Sequence, residues 1–112
     1  MTAYRKWDII LVPFPFTDLT AAKKRPALIV SPDDYNRSGR DVVINMLTSN
    51  VDASSRRGDH RIRFWKQSGL PKASLFCMKF VMIDQEIIVK RIGRLVEEER
   101  ESVRDTLREF FL

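Results

Sequence analysis

The chain has 112 residues, 44% of them hydrophobic and 31% charged, which is the composition of a globular domain rather than of a disordered or fibrous chain. Its apolar runs, such as residues 27–30, reach four residues, whereas a membrane-spanning helix needs about 20. Cys77 is the single cysteine, which excludes an intrachain disulfide and a zinc site built from several cysteines. No signal peptide is visible, so we expect one soluble, cytoplasmic domain over residues 1–112.

The net charge of +5 is unevenly distributed along the chain. Residues 95–112 contain six acids and three bases, a net charge of −3, so the first 94 residues carry +8. A basic body favours a polyanionic partner, because each phosphate that it neutralises releases bound counterions. A modest positive charge is also compatible with an ordinary soluble protein.

Six segments are rich in β-forming residues and are separated by turn-forming residues. The predicted strands span residues 7–14, 25–31, 41–47, 60–65, 74–83 and 86–92. Polar residues in the segments 17–24 and 32–40 predict turns and loops. Six short strands joined in this way predict a compact barrel or a curled sheet.

The last part of the chain changes to a helical hydrophobic period. Val96, Val103, Leu107, Phe110 and Phe111 recur at helical spacing, with charges between them. Three glutamates at 97–99 fall in the first turn, where acids interact favourably with the helix dipole. We predict a mainly β, α+β domain with one C-terminal helix, which also accounts for the acidic end without any function.

Several kinds of catalytic site are absent from the sequence. One histidine cannot supply a two-histidine acid–base mechanism, and no GxxxxGK[ST] phosphate loop or serine-centred elbow occurs. Asp33 and Asp34 form the one tight acidic pair outside the predicted helix, in a segment where turn capping is the expected role. Nucleotide hydrolysis and serine-hydrolase chemistry are therefore disfavoured, and no metal site is predicted.

Basic and hydroxyl side chains remain as candidates for chemistry. Lys23, Lys24 and Arg25 precede an apolar strand, and Pro26 restricts the backbone at the residue before it. A guanidinium is always charged and can bind two phosphate oxygens at once. A basic run at a strand end can equally serve to prevent edge-to-edge aggregation.

Thr48, Ser49 and Asn50 follow the third predicted strand as three hydrogen-bonding side chains in a row. They could position a phosphate or contact a base edge. They could also cap a turn, which is a frequent use of such a triplet.

The segment 56–66 combines cations with aromatic residues, with a net charge of +4. Arg57, Arg61 and Arg63 lie close to Phe64 and Trp65, a mixture that suits phosphate pairing and base stacking on single-stranded nucleic acid. A charged, exposed strand with core aromatics explains the same pattern. His60 is expected to be a surface or edge residue rather than a catalyst, and Cys77 a packed apolar one.

Taken in order, the segments WDIILVPFPFTDL, KKRPALIVS, INMLTSN, GLPKASLF, MID and IGRLVEEE resemble the PemK/MazF family of toxins from type II toxin–antitoxin systems. The resemblance extends from Lys6 to about Glu99. It implies a small SH3-like β-barrel of about six strands with a C-terminal helix, working as a homodimer.

The resemblance also implies an activity. The family cleaves single-stranded RNA, usually mRNA, without a metal ion or cofactor, by attack of a ribose 2′-OH on the neighbouring phosphate. The products carry a 2′,3′-cyclic phosphate and a 5′-OH. An acidic antitoxin is expected to cover the RNA groove.

The family's catalytic residues map onto two positions of this chain. Arg25 corresponds to the arginine before proline and would stabilise the charge on the phosphate oxygens. Thr48 corresponds to the loop threonine and would hold the phosphate for attack. Ser49, Asn50 and the basic residues are expected to bind RNA in the same groove; the basic ones are Lys23, Lys24, Arg57, Arg61 and Arg63.

Two departures from the family pattern bear on activity. Trp7 stands where the family usually has glycine, and its ring is expected to alter the groove wall or the dimer edge. An Arg-x-Asp pair used by some relatives is replaced by Phe76, Cys77 and Met78, which leaves the general base unassigned.

Two other functions stay open at this point. A non-catalytic member would bind RNA or its antitoxin without cutting. A gyrase poison would share the barrel and act through the end of its last helix, but Phe110, Phe111 and Leu112 suit a core or a dimer surface better.

Overall fold

The computed structural model describes residues 4–15, 23–52 and 56–112. Within these ranges the chain forms seven strands and two α-helices. The strands are β1 (Asp8–Phe14), β2 (Lys23–Ile29), β3 (Asp41–Met46), β4 (His60–Arg61), β5 (Leu75–Phe76), β6 (Phe80–Asp84) and β7 (Lys90–Arg94). The helices are α1 (Asp33–Ser38) and α2 (Glu97–Phe111), and a 3₁₀ turn spans Gln85–Ile87. No described helix is both long and apolar enough to cross a lipid bilayer.

Five strands form an antiparallel sheet in the order β6-β3-β2-β1-β7. A bulge between Ile9 and Ile10 shifts the pairing of β1 with β7. The strands β4 and β5 form a separate antiparallel pair, to which Thr48 is joined by a bridge with Leu75. Among the described strands, β6 and β7 are the edges of the main sheet, and strand pairing does not close it into a barrel.

The two faces of the sheet bury two hydrophobic clusters because successive side chains of a strand point to opposite faces. Ile10 and Ile29 belong to one cluster with residues of β3 and β6. Ile9 and Leu28 belong to the other, together with Phe76 of β5 and Val103 of α2. The second cluster therefore holds the helix and the two-stranded pair against the main sheet.

The predicted fold class, mainly β with one C-terminal helix, is confirmed, whereas in place of the expected barrel of about six strands the described residues form an open five-stranded sheet and a separate two-stranded pair. The segment 74–83, predicted as one strand, forms two strands that pair with different partners. The Asn45 side chain binds the carbonyl of Cys77, and the Met46 N–H donates to the carbonyl of Lys79 at 2.9 Å. These bonds hold residues 77–79 out of a regular strand where the chain passes from β5, which pairs with β4, to β6, which pairs with β3.

The predicted strand 60–65 is regular only over His60–Arg61. The chain then turns, and the N–H groups of Ser68 and Leu70 donate to the carbonyls of Phe64 and Trp65 at 3.0 Å. Gly69, with φ of +91°, lies so close to β7 that a Cβ would be 2.6 Å from the carbonyl of Ile92. The strand stops because this loop packs on the sheet.

The segment 32–40, predicted as a loop, contains α1. Asp34 accepts the N–H of Tyr35 at 2.8 Å, and Asp33 accepts the N–H of Lys6 at 2.8 Å. Both carboxylates bind backbone N–H groups, but α1 has no side-chain cap, and Asp33 binds Lys6, 27 residues away, rather than capping a turn of its own segment. The predicted strand 86–92 begins later, at Lys90, after the 3₁₀ turn.

Candidate functional site

Three consecutive cations begin β2. Lys23, Lys24 and Arg25 pair across the sheet with the end of β1, and all three side chains are exposed. The Arg25 guanidinium carbon lies 4.8 Å from the centroid of the Phe14 ring, a cation–π contact. The strand thus presents a row of positive charge beside an aromatic face.

Thr48 lies just after β3 and its backbone is held on both sides. Its N–H donates to the carbonyl of Leu75 at 3.1 Å, and the N–H of Leu75 donates back to its carbonyl at 2.8 Å. The Thr48 hydroxyl oxygen accepts the N–H of Asn50 at 3.1 Å. Because a hydroxyl has one proton and two lone pairs, this leaves the O–H of Thr48 as a donor without a partner among the described residues.

The start of β2 and the end of β3 meet at a cleft of about 350 Å³, which we call the basic cleft. Its described lining residues are Lys23, Lys24, Arg25, Pro26, Leu47, Thr48, Ser49, Pro71, Lys72 and Ser74. Four of these are cations, and none of the described lining residues is an acid or a histidine. The cleft therefore attracts anions and offers hydroxyl donors to them.

A second depression of about 680 Å³, which we call the aromatic groove, borders the basic cleft at Thr48. Its described lining residues are Thr48, Asn50, Arg56, Arg57, Asp59, Leu75, Cys77, Met78, Lys79, Phe80, Phe110 and Phe111. Three cations and one acid lie beside three phenylalanine rings. Charge and aromatic surface are thus combined in one groove.

The structure brings together most of the residues predicted from the sequence to bind RNA. Lys23, Lys24 and Ser49 line the basic cleft with the two predicted catalytic residues, while Asn50 and Arg57 line the aromatic groove.

Arg61 and Arg63 are not among the lining residues of either depression. Arg61 donates to the carbonyl of Val51 at 2.6 Å and lies 3.8 Å from a carboxylate oxygen of Asp52. The Arg63 guanidinium lies 5.4 Å from the ring centroid of Phe64.

Several lining residues had no role assigned from the sequence. Lys72 and Ser74 belong to the segment GLPKASLF, whose proline and lysine were the signal available for a basic loop. Lys79 follows an apolar run and gave no signal of its own. Phe110 and Phe111, predicted as core or dimer surface, are 38% and 61% exposed in the described chain.

The position of the missing Arg-x-Asp pair carries apolar side chains. Phe76 is fully buried, and burial raises the pKa of the Cys77 thiol above its ordinary value, which keeps it protonated at neutral pH. His60 lines neither depression, and its Nε2 lies 2.6 Å from Oε2 of the buried Glu99. No three described His, Cys, Asp or Glu side chains are grouped so that they could hold a metal ion.

Trp7 lies in the core rather than on a groove wall. Its ring is 4% exposed, within the cluster of Ile9, Leu28 and Val103, and the Arg104 guanidinium carbon is 5.2 Å from its centroid. It lines neither the basic cleft nor the aromatic groove. The expected effect of this ring on the groove wall is therefore not seen.

Comparison with known proteins supports one family and one fold. A family profile described as PemK-like, MazF-like toxin of type II toxin–antitoxin system matches residues 5–111. No curated protein sequence matches the chain.

Solved structures resemble the chain over nearly its whole length. An endoribonuclease in complex with its cognate antitoxin from a mycobacterial species is 15% identical, with a TM-score of 0.77, over 96% of this chain and 93% of that one. The Mycobacterium tuberculosis toxin MazF-mt6 is 16% identical, with a TM-score of 0.73, over 93% and 95% of the two chains. The MazE–MazF structure from Deinococcus radiodurans is 15% identical, with a TM-score of 0.73, over 98% and 96%. At these identities the likeness concerns the fold.

Proposed function

The chain belongs to the PemK-like, MazF-like toxins of type II toxin–antitoxin systems, and we propose on that premise that it cleaves single-stranded RNA. The proposed reaction needs no metal ion. A ribose 2′-oxygen attacks the adjacent phosphorus and loses its proton, the bond from phosphorus to the 5′-oxygen breaks, and that oxygen gains a proton. The products are a 2′,3′-cyclic phosphate and a 5′-OH.

One observation carries the proposal: Arg25 and Thr48, the positions that match the family's catalytic residues, line the same basic cleft. Lys23, Lys24 and Lys72 line it as well. A cleft with four cations and no acid among its described lining residues suits a phosphodiester.

The proposed roles follow from the chemistry of the two side chains. Arg25 stabilises the negative charge that gathers on the phosphate oxygens as the attack proceeds, an interaction whose loss costs about 3–4 kcal/mol in comparable sites. The Thr48 hydroxyl donates to a phosphate oxygen and holds the phosphorus in line with the attacking oxygen. The backbone bonds of Thr48 to Leu75 fix the position from which it donates.

The test is incubation of the purified protein, free of antitoxin, with a long single-stranded RNA in EDTA, followed by mapping of the product ends. Discrete cuts with 5′-OH and cyclic phosphate ends are expected from the wild type. Arg25→Gln and Thr48→Val are expected to slow cleavage by about 100-fold or more, because each loses one donor to the transition state.

Two variants control for side effects of these changes. Thr48→Ser keeps the hydroxyl and is expected to retain activity. Thr106→Val removes a hydroxyl outside the basic cleft, one that donates to the carbonyl of Ser102 within α2, and is expected to retain activity as well. Circular dichroism confirms folding of each variant. Full cleavage by both Arg25→Gln and Thr48→Val would contradict the assigned roles.

A second candidate function, RNA binding without cleavage, is favoured by the absence of an acid or histidine among the described lining residues of the basic cleft. General acid–base catalysis contributes about 100- to 10,000-fold to such reactions. Tight binding of RNA by a folded wild type that leaves the RNA intact would support this candidate.

We further propose a homodimer that acts in the cytoplasm and an acidic antitoxin as partner. The cations of the basic cleft and of the aromatic groove give an acidic segment a complementary surface. Two of the similar structures, those from a mycobacterial species and from D. radiodurans, are toxin–antitoxin complexes.

A further inference from the structure

The aromatic groove contains a chain of ring contacts that runs from the core to the surface. Phe76, which is fully buried, contacts Phe80 edge to face with 6.1 Å between centroids. Phe80 contacts Phe111 at 5.9 Å, and Phe111 contacts Phe110 at 5.1 Å. The two exposed rings at the end of α2 are thus connected to the buried Phe76 through the half-buried Phe80.

The cation Arg57 forms part of the wall of the aromatic groove beside these rings. The Arg57 guanidinium carbon lies 5.8 Å from the centroid of the Phe110 ring, and its Nη2 donates to the carbonyl of Glu109 at 3.4 Å. Gly58, with φ of +94°, allows this turn to approach the helix, because a Cβ there would lie 3.0 Å from the Phe110 ring and 2.7 Å from the Met78 side chain.

The groove is continuous with the basic cleft through Thr48, which lines both. Arg56, Arg57 and Lys79 outnumber Asp59 among its described charged residues. A strand whose phosphate lies at Thr48 would therefore continue into a groove with net positive charge and exposed π-faces. Single-stranded nucleic acids are bound by this combination of backbone pairing and base stacking.

We propose that Phe110 and Phe111 form the stacking face for a base of the single-stranded RNA whose phosphate is held in the basic cleft. This inference rests on the proposed function and adds base-binding residues to it. Phe111, which is 61% exposed, offers the larger face, while Arg57 pairs with a neighbouring phosphate. Stacking of this kind tolerates any base, so these rings contribute affinity and position rather than sequence selectivity.

The test compares binding of two fluorescent strands of about 12 nucleotides, a length within the site sizes of single-strand binders. One is a 2′-O-methyl RNA of mixed sequence, which lacks the attacking 2′-OH, and the other is an abasic strand with the same phosphates. Phe111→Ala is expected to weaken binding of the first strand about 10-fold, as for the loss of one stacked base, and to leave binding of the abasic strand unchanged.

Two further variants and one physical measurement make the result specific. Phe111→Trp keeps an aromatic face and is expected to bind like the wild type. Tyr35→Ala removes another exposed aromatic ring, which lies on α1 outside the groove, and is expected to have no effect. Sedimentation of each variant reports whether the assembly state has changed.

Three outcomes would overturn the inference. Equal binding of the 2′-O-methyl strand by wild type and Phe111→Ala would show that no base stacks there. A change of assembly state in Phe111→Ala that the other variants do not show would assign the rings to a contact between copies of the chain. A wild type that binds neither strand and cuts no RNA would refute both proposals, whereas either of the first two outcomes, with normal RNA cleavage by the wild type, would refute this one alone.

Discussion

Trp7 has a backbone φ of +78°, in the left-handed region that favours glycine. The family resemblance places glycine at this position, and glycine adopts this backbone conformation without strain. The N–H of Trp7 donates to the carbonyl of Ile29 at 2.8 Å, and its own carbonyl accepts the N–H of Leu95 at 2.8 Å. The burial of a large ring in the core offsets the strain of the backbone.

We predict that Trp7→Gly is more stable than Trp7→Ala by about 1 kcal/mol, because glycine relieves the left-handed strain that alanine retains. Both variants are expected to lose about 3–5 kcal/mol relative to the wild type, since the core loses its indole. Urea denaturation measures the free energy of unfolding of each variant.

The matched control is Trp65, a half-buried tryptophan that packs against the same cluster and is not among the described residues with positive φ. There the order should reverse, with Trp65→Ala more stable than Trp65→Gly. The same order at both positions would contradict the account of Trp7.

At the level of single residues, the sequence identified Arg25 and Thr48 as candidates from their guanidinium and hydroxyl chemistry and from the order of the motifs. The sequence could not assign Lys72 to the basic cleft, because the direction of a loop side chain depends on how the loop folds. Nor could it separate Arg57, which lines the aromatic groove, from Arg61, which pairs with Val51 and Asp52.

One buried carboxylate of helix α2 binds both β4 and the turn that follows it. Glu99 is 1% exposed; its Oε1 accepts the N–H of Phe64 at 2.9 Å, and its Oε2 lies 2.6 Å from Nε2 of His60. The first-turn glutamates were expected to act on the helix dipole, and Glu97 and Glu98 are exposed as that role requires. Glu99 has the additional role of binding one group of β4 and one group of the turn after it.

We predict that Glu99→Ala destabilises the protein by about 3 kcal/mol, because it leaves a half-buried N–H and an imidazole nitrogen without their partner. Chemical denaturation monitored by circular dichroism measures the change.

Glu98→Ala is the matched control in the same helical turn. It removes an exposed charge near the helix N-terminus and is expected to cost less than about 1 kcal/mol. A Glu99→Ala variant as stable as Glu98→Ala would show that these two bonds do not stabilise the fold.

The period of the hydrophobic pattern predicted the strands and α2 because a buried face repeats along each of them. It failed at residues 77–79 and 62–65 for a tertiary reason. There the backbone bonds of a regular strand are replaced by bonds to Asn45, to Met46 and within a turn. Sequence periodicity does not indicate which acceptor a given backbone N–H binds.

For the molecule as a whole, the separation of a basic body from an acidic C-terminal segment becomes a spatial feature. The cations of the first 94 residues supply the four charges of the basic cleft. Three of the six acids of α2 form ion pairs within the helix, among them Glu101 with Arg104 at 3.3 Å and Asp105 with Arg108 at 3.0 Å. The cleft therefore keeps its positive potential.

We predict that binding of single-stranded RNA weakens steeply with salt, since each phosphate contact contributes about −0.7 to the slope of log K against log salt concentration. Four contacts in the basic cleft would give a slope of about −3. Lys72→Gln is expected to reduce the slope by about 0.7, because it removes one contact. Fluorescence anisotropy over a series of salt concentrations measures the slope.

Lys90→Gln is the control, since Lys90 is exposed on β7 and lines neither depression. Its slope should equal that of the wild type. An equal reduction of the slope in Lys72→Gln and Lys90→Gln would mean that the net charge of the protein, rather than the basic cleft, determines binding of the strand.

The sequence by itself determined the fold class, the C-terminal helix, the basic character of the body and the family, because composition, periodicity and ordered motifs are properties of the chain. The tertiary structure alone decided that Arg25, Thr48 and Lys72 share one cleft and that Glu99 is buried. It also decided that two phenylalanine rings stand exposed beside Arg57. These features depend on contacts between residues far apart along the chain, and only the folded sheet and helix bring such residues together.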